Sequence, residues 1–424
     1  MKRVLKSVVV KLLTRQVRKL RKRHTFKVVG VVGSVGKTST KLAVAQALSA
    51  HARVMYQQGN YNDLVSVPLV YFGQEMPSLF SPIAWLKVLA RNNKLIKDYP
   101  YDIVVLELGT DGPGQIADFA RYGRLDVVVV TSIVPEHMAN FTDMTAVAQE
   151  ELSVASFADK LFYNSELMAD EYKTLLPEGS VAYSVGDVGT EYHMANVFTT
   201  SSGLEGDVKH GGEILVHFSY EAVATMQLYS VLAAIVVGDY LGVQRSAILD
   251  GIGLIRPVSG RLRRLNGING SVIIDDTYNS SPEAVKSALA TLRSIDAPHK
   301  IAVLGSMNEL GTMSEGAHKE IGDLCTPDYL DVLITIGGDA NKFLATSAED
   351  KGCVVYKFDN PYDAGDLLMA KIEKDSVVLA KGSQNGVFAE EAIKKVLHDP
   401  EDANKLVRQS ETWLKTKAKQ FPKT

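Results

Sequence analysis

Apolar and polar positions along the chain fall into two alternating αβ series. Residues 25–32 are a β-branched run that reads as a buried strand, and residues 41–50 carry a helical pattern. Strand patterns recur at 101–108 and 126–132, and strands alternate with helices to about residue 163. This alternation predicts a parallel sheet wrapped by helices. Residues 180–220, richer in Gly, Ser and Thr, predict a small antiparallel appendage, and 225–241 returns to helix. Residues 251–260, with Pro257 and several glycines, read as a domain boundary. A second series predicts strands near 271–275, 300–304, 331–336, 353–357 and 376–380. Helices near 283–293, 316–325, 362–372 and 387–397 separate them, and a polar helix is predicted at 401–419.

Ahead of both series, residues 2–23 read as one amphipathic helix. Leu5, Val8, Val9, Leu12, Leu13, Gln16 and Leu20 share a face, opposite Lys11, Arg15, Arg18 and Lys22. Charge makes this head distinctive. Residues 1–62 hold 14 Lys or Arg and no Asp or Glu, whereas the formal net charge of the 424 residues is −3. Two readings fit: a helix lying in an anionic membrane surface, or a helix packed on its own protein with a solvated basic face. Nucleic acid is not expected, because no recognition motif or interleaved aromatics accompany the charge. No apolar run approaches the roughly 18 residues of a membrane span. Cys325 and Cys353 lie in no CxxC or Cys/His cluster, which argues against zinc or a disulfide framework and fits a reducing cytoplasm.

Chemistry enters at Gly33-Ser34-Val35-Gly36-Lys37-Thr38, with Ser39 following, between the first strand and the first helix of the series. Glycines let backbone amides close around phosphate oxygens, and the helix N-terminus favours the anion. Lys37 is positioned to reach the β- and γ-phosphates, and the Thr38 hydroxyl to ligate Mg²⁺. Val31 occupies the place of the first glycine in the longer GxxxxGK[ST] form, so this is the shorter GxxGKT loop. The guanine motif NKxD is absent, since Asn93-Lys94, Asn341-Lys342 and Asn404-Lys405 are not followed by its Asp; the nucleotide is ATP. Glu107, near the C-terminal end of an apolar strand, is a Mg²⁺ ligand candidate, with a solvated strand-end glutamate as the plainer alternative. His137 repeats that placement after the next strand, as a metal ligand or a structural histidine. The fold expected is α/β: a P-loop parallel-sheet ATPase domain over 25–258, then a smaller Rossmann-like domain over 259–424, behind the basic helix of 1–24.

These residues resemble the Mur ligase family, and within it the branch that adds D-alanyl-D-alanine to a UDP-N-acetylmuramoyl tripeptide. The resemblance spans about 25–400 and rests on ordered blocks. The phosphate loop resembles the family's GxxGKT, and Asn60-Tyr61-Asn62-Asp63 through Val67-Pro68-Leu69 resembles NxNN…GVPL, with Ser66 where glycine is usual. Glu107-Leu108-Gly109 and Pro113-Gly114-Gln115-Ile116 resemble ELG…PGEI, and Thr131-Ser132-Ile133 with His137 resembles the block that serves a second magnesium. Further on, Gly260-Arg261, Asp275-Asp276-Thr277-Tyr278-Asn279 with Pro282, Leu304-Gly305 through Glu309-Leu310-Gly311 with His318, and Lys381-Gly382-Ser383 resemble the C-terminal blocks.

The resemblance implies an ATP-dependent amide ligase of peptidoglycan precursor synthesis, using Mg²⁺ and passing through an acyl phosphate. It implies that Lys37, Glu107 and His137 act at the transferring phosphoryl group. Gly33, Ser34, Val35, Gly36, Thr38, Ser39, Arg261, Asp276 and Asn279 would hold ATP, and Asn60, Asn62, Lys381 and Ser383 the substrates. Family members carry a lysine fourteen residues after the histidine, whose carbamate serves the second metal. Here Glu151 stands there, so a genetically encoded carboxylate in the carbamate's place is expected, against the alternative of a surface Glu150-Glu151 pair on a helix. Met226, Ser230 and Gln384 replace the family's histidine, asparagine and arginine. The phosphate loop begins at residue 33, where relatives first carry a UDP-binding domain. The muramoyl-peptide acceptor is therefore expected to be bound differently, presented by a partner, or replaced by a lipid-linked or other carboxylate. The amine is an amino acid or dipeptide. A catalytically decayed nucleotide-binding scaffold is the reading from outside enzymology. The expected location is cytoplasmic, with a peripheral place on the membrane if the basic helix meets lipid.

Overall fold

Uninterrupted β-branched runs become the central strands of the first sheet. The computed structural model describes residues 2–59, 61–135, 138, 140–200, 203–384 and 386–421, with backbone alone for 2–4. Asn60 and His137 thus lie outside the described residues. The chain divides into two compact units, Met1–Glu221 with Thr225–Arg256, and Ala222–Ala224 with Pro257–Thr424.

In the first unit, β1 (Lys27–Val32), β2 (Val54–Met55), β3 (Ile103–Glu107), β4 (Leu125–Val130), β5 (Ala158–Asn164), β6 (Val181–Ser184), β7 (Tyr192–Thr200), β8 (Gly203–His210) and β9 (Glu213–Tyr220) form one sheet. Its order is β2-β3-β1-β4-β5-β6-β7-β8-β9, parallel as far as β7 and antiparallel beyond. β1 lies between β3 and β4, with Val31 opposite Glu107 and Val32 opposite Val130. The C-terminal ends of three buried strands therefore open at one edge, where the strand order reverses and α/β sheets bind ligands.

One expectation is corrected here and another refined. Residues 192–220 are no separate appendage: β6 pairs with β7 in parallel, Tyr183 opposite Tyr192, and carries the main sheet outward. Alternation along a strand shows that it is half-buried but not which neighbour it joins. The boundary expected over 251–260 does contain the division between Arg256 and Pro257, but its first residues belong to a helix, Arg245–Leu254. Gly251 sits inside it because a Cβ would come 2.4 Å from Ala47 O.

The helices that matter to the site are α1 (Lys2–Arg23), α2 (Lys37–Leu48), α3 (Val67–Val70), α4 (Pro82–Leu95), α5 (Gln115–Asp118) and α6 (Met144–Leu152). α1 is packed on its own protein. Val9, Val10 and Leu13 join Val65, Leu69, Trp85 and Val88, while Val17 and Leu20 enter the main core. Gln16 donates to Leu89 O at 2.8 Å and accepts from Asn92 Nδ2 at 2.9 Å. The main apolar stripe is thus occupied, and α1 does not lie on that stripe in a bilayer. Leu13 is fully buried, so Leu13→Ala should cost about 2–5 kcal/mol. Among the described residues no helix is long and apolar enough to cross a membrane.

The second unit is a six-stranded sheet of β10 (Arg263–Asn266), β11 (Val272–Asp276), β12 (Lys300–Gly305), β13 (Val332–Ile336), β14 (Val355–Phe358) and β15 (Val377–Lys381). Its order is β10-β11-β15-β12-β13-β14, all parallel except the β10 edge. Alternate residues face two cores: Ile273, Ile301, Val303 and Val378 on one side, Ile274, Ala302, Leu304 and Leu379 on the other. Cys325 and Cys353 are buried in the second of these cores and are not disulfide-bonded.

Candidate active site

The phosphate loop links β1 to α2 through two glycines whose backbone needs them. Gly33 has φ 120° and Gly36 φ 90°, in the left-handed region. A Cβ on Gly33 would meet Thr131 Oγ1 at 2.5 Å and Ser132 O at 2.8 Å. The end of β4 holds the loop in shape. Ser34 N–H donates to Ser132 O at 3.0 Å, Val35 N–H to Ser132 Oγ at 2.8 Å, and Thr131 Oγ1 to Val35 O at 2.7 Å. Lys37 folds over the loop and donates to the carbonyls of Gly33 and Ser34. Ser39 is half-buried in the first turn of α2. Thr40, next along, shares a 3.1 Å hydrogen bond with Ser230, so Ser230 is tied to the helix behind the loop.

Glu107 stands at the mouth of this loop and is 2% exposed, which removes the solvated reading. Thr38 Oγ1 donates to its Oε1 at 3.2 Å, and Asn62 Nδ2 reaches the same oxygen at 3.4 Å. Lys41 Nζ lies 3.1 Å from Oε2 and donates to Gly59 O at 2.9 Å. Lys41 is close enough to Oε2 for an ion pair but off the line of a hydrogen bond, and Oε2 has no hydrogen-bond partner among the described residues. A buried carboxylate oxygen without a donor is costly unless something else reaches it. Two hard oxygen donors, Thr38 and Glu107, beside a phosphate cradle fit Mg²⁺, whose other ligands are commonly phosphate oxygens and water. Among the described residues no three His, Cys, Asp or Glu side chains gather into a metal site.

Glu150 and Glu151 are both buried, so the surface-pair alternative falls. They point to different places from adjacent positions of α6. Glu151 Oε2 accepts Gly33 N–H at 2.9 Å, beneath the phosphate loop. Glu150 takes Gly114 N–H at 2.6 Å and Ile116 N–H at 2.7 Å, holding the start of α5. Sequence reasoning left Glu150 and Lys41 without roles. The signal for Lys41 was a charge inside an apolar helix, one turn after Lys37.

A second cluster lies at the strand ends of the second unit. Asp276 Oδ2 meets Lys381 Nζ at 2.6 Å across paired positions of β11 and β15, and Lys381 also donates to Asn279 O at 2.9 Å. Lys381, expected as a substrate contact, is thus the counter-ion of Asp276, while the Asn279 side chain is exposed. The Arg261 guanidinium stacks 4.3 Å from the Tyr278 ring centroid. Asp275 holds this turn together: it accepts from Thr277 N–H at 3.2 Å and Gly260 N–H at 2.9 Å. Full burial pushes its carboxyl up to about 6. Ser383 Oγ accepts Asn308 N–H at 2.9 Å, tying two loops. His318 accepts Met307 N–H on Nε2 at 3.0 Å and contacts Ser314 O through Nδ1 at 2.8 Å. Burial holds its imidazole below the ordinary value, so it is neutral near pH 7.

The tail supplies what the sequence did not reveal. It forms a short turn, Pro400–Lys405, and a helix, Glu411–Gln420. Arg408 donates to the carbonyls of Thr277 and Tyr278 and to Glu390 Oε2, the last at 2.7 Å. Lys417, with no exposed surface, meets Glu390 at 2.8 Å and Glu391 at 2.6 Å. The turn at Thr277 and Tyr278 is thereby clamped from the far end of the chain.

Comparison with known proteins places these features. The profile of the Mur ligase middle domain matches residues 31–238, and that of the Mur ligase glutamate ligase domain matches 260–384. The UDP-N-acetylmuramoyl-tripeptide–D-alanyl-D-alanine ligase of Bacillus subtilis is 27% identical over 383 residues, 88% of this chain and 76% of the relative. A MurF ligase from Thermotoga maritima, solved in complex with ADP, superposes with a TM-score of 0.74 at 22% identity, covering 91% of this chain and 83% of its own. Folylpolyglutamate synthase of Mycobacterium tuberculosis shares the fold at a TM-score of 0.64 and 15% identity, over 93% of this chain and 98% of its own. With both halves matched in order, the chain belongs to the Mur ligase family of ATP-dependent, ADP-forming ligases.

Proposed function

We propose that this ligase joins D-alanyl-D-alanine to a muramoyl tripeptide in peptidoglycan precursor synthesis, in the cytoplasm. The observation that supports it most is the buried Glu107 carboxylate beside Thr38 at the mouth of the phosphate loop, together with relatives that carry that activity in their names. ATP's γ-phosphoryl group passes to the acceptor carboxylate, releasing ADP. The amine then attacks the acyl carbon, and phosphate leaves as the amide forms. Lys37 exchanges its contacts with loop carbonyls for phosphate oxygens and balances the charge of the transferring group. Magnesium supplies charge neutralisation between converging oxyanions. Thr38 and Glu107 would hold one ion, and Glu151 with His137 would hold a second, Glu151 taking the place of the family's carbamate.

Gly33 to Ser39 surround the phosphates. Asn60 and Asn62 serve the substrates, Asn62 beside Glu107, and Lys381 and Ser383 hold loops of the second unit. The test is mass spectrometry of the full chain with ATP, Mg²⁺, UDP-N-acetylmuramoyl tripeptide and D-alanyl-D-alanine. A product heavier by one condensed dipeptide is expected. ADP release only with a lipid-linked or other carboxylate would replace the acceptor, and ATP binding without turnover on any carboxylate would make the chain a scaffold.

A further inference from the structure

α1 and α4 lie side by side and run parallel. Gln16 is bonded to Leu89 O and Asn92, and further along His24 contacts Ile96 O at 2.9 Å. Toward the N-terminal ends, Val9, Val10 and Leu13 pack with Trp85 and Val88. This register brings Val8 and Leu12 level with Ile83 and Leu86. Leu12 sits one turn before Gln16 on the same side of α1, and Leu86 one turn before Leu89 on α4, so both flank the outside of the seam. These side chains protrude: Val8 is 49% exposed, Leu12 42%, Ile83 70% and Leu86 66%, with Phe80 at 59% just before α4.

Cations dominate the surround, with Asp63 beside Lys6 and Asp118 beside Arg121 as acidic partners. Neither α1 nor α4 contains an Asp or Glu. Lys11, Arg15 and Lys19 are exposed on α1, and Lys87, Arg91 and Lys94 on α4. Lys11, Arg15 and Lys19 also line a groove of about 1090 Å³ along α1, together with Arg18, Lys22 and Arg121.

We propose that this face, formed by α1, α4 and Phe80, seats on an anionic lipid bilayer. The apolar side chains enter the boundary between headgroups and acyl chains, and the lysines and arginines lie among the phosphates. Most of the helical stripe read from the sequence, Val9, Leu13, Gln16 and Leu20, is buried in the protein; only its edge, Val8 and Leu12, is left for the anchor, which is a composite of two helices distant in the chain. Charge complementarity selects the occupant. Protruding aliphatic side chains within a predominantly basic surround match lipid acyl chains beneath anionic headgroups, whereas nucleic acid would leave the aliphatic side chains unmatched. The inference does not depend on which acceptor the ligase uses.

The experiment is co-sedimentation of the full chain with vesicles of phosphatidylcholine alone or mixed with phosphatidylglycerol, at low and high salt. Binding is expected to the mixed vesicles only and to fall as salt rises. Ile83→Glu with Leu86→Glu should weaken it at least tenfold, and each of Lys11, Arg15 and Lys19 changed to Gln should weaken it roughly fivefold. All these side chains are exposed, and circular dichroism melting checks that each variant folds. The glutamate variant should retain wild-type turnover on a soluble acceptor, which separates failure of docking from failure of the ligase reading. Absence of binding to mixed vesicles overturns the proposal, as does equal binding to neutral ones. Binding that ignores the glutamate changes but is competed away by pyrophosphate or duplex DNA would reassign the face to a soluble anion or a nucleic acid.

Discussion

The buried carboxylates of the two units differ in how fully they are matched. Around the tail, Glu390 and Glu391 close on Arg408 and Lys417, and Asp275 is met by Thr277 and Gly260; these acids are engaged by their own protein. At the phosphate loop, Glu107 keeps one oxygen with no hydrogen-bond donor among the described residues, beside the hydroxyl that would share a cation. Burial alone does not separate the two groups, since all are nearly inaccessible. What separates them is satisfaction. A carboxylate whose oxygens all have donors serves the fold, and one with an oxygen held only by an ion pair, as Lys41 holds Glu107, can take a ligand.

The sharpest test removes both ions at the loop. Glu107→Gln with Lys41→Met leaves no unpaired buried charge, so ADP release should fall about 10³-fold while unfolding in urea moves by less than about 1 kcal/mol. Retained turnover with a collapsed midpoint would invert the comparison. Lys417→Met should do the opposite. Arg408 still meets Glu390, but Glu391 loses its closest cation, and this should cost the second unit about 3–5 kcal/mol, read as an early denaturation transition. Glu151 comes next: Glu151→Gln should weaken Mg²⁺-dependent ATP binding about 10–100-fold by calorimetry. Glu151→Lys should regain turnover when bicarbonate is supplied, whereas the wild type should ignore bicarbonate. The smallest effect belongs to His318. Its pKa is lower in the folded chain than the ordinary 6.5, so the folded state binds fewer protons and stability is lost as pH falls below about 6.5. Comparing urea midpoints at pH 7 and pH 5 should show this loss in wild type and a smaller one in His318→Gln.

What could be read from the sequence was what local chemistry dictates. β1, β3 and β4 announce themselves by β-branched runs, and Gly33 to Thr38 by spacing, because a phosphate cradle needs its glycines and lysine at fixed offsets. Glu107 stood out as a charge in an apolar strand. Contacts between distant segments were not legible. The stripe on α1 fits lipid or protein equally until α3 and α4 are seen beneath it. Polarity made residues 401–419 look solvated, yet Lys417 is buried against glutamates 26 or more residues away. The pairing of β6 with β7, which joins the antiparallel strands to the main sheet, likewise has no signature in either strand alone.

Glu150 and Glu151 carry a consequence for anyone recombining ligases of this family. Because successive residues of a helix point about 100° apart, α6 has only one rotational phase in which one carboxylate meets Gly114 and the other Gly33. A one-residue slip would exchange their addresses. Chimeras should therefore inherit residues 143–152 as a block together with 33–38 and 113–116, with crossovers and length changes placed outside all three.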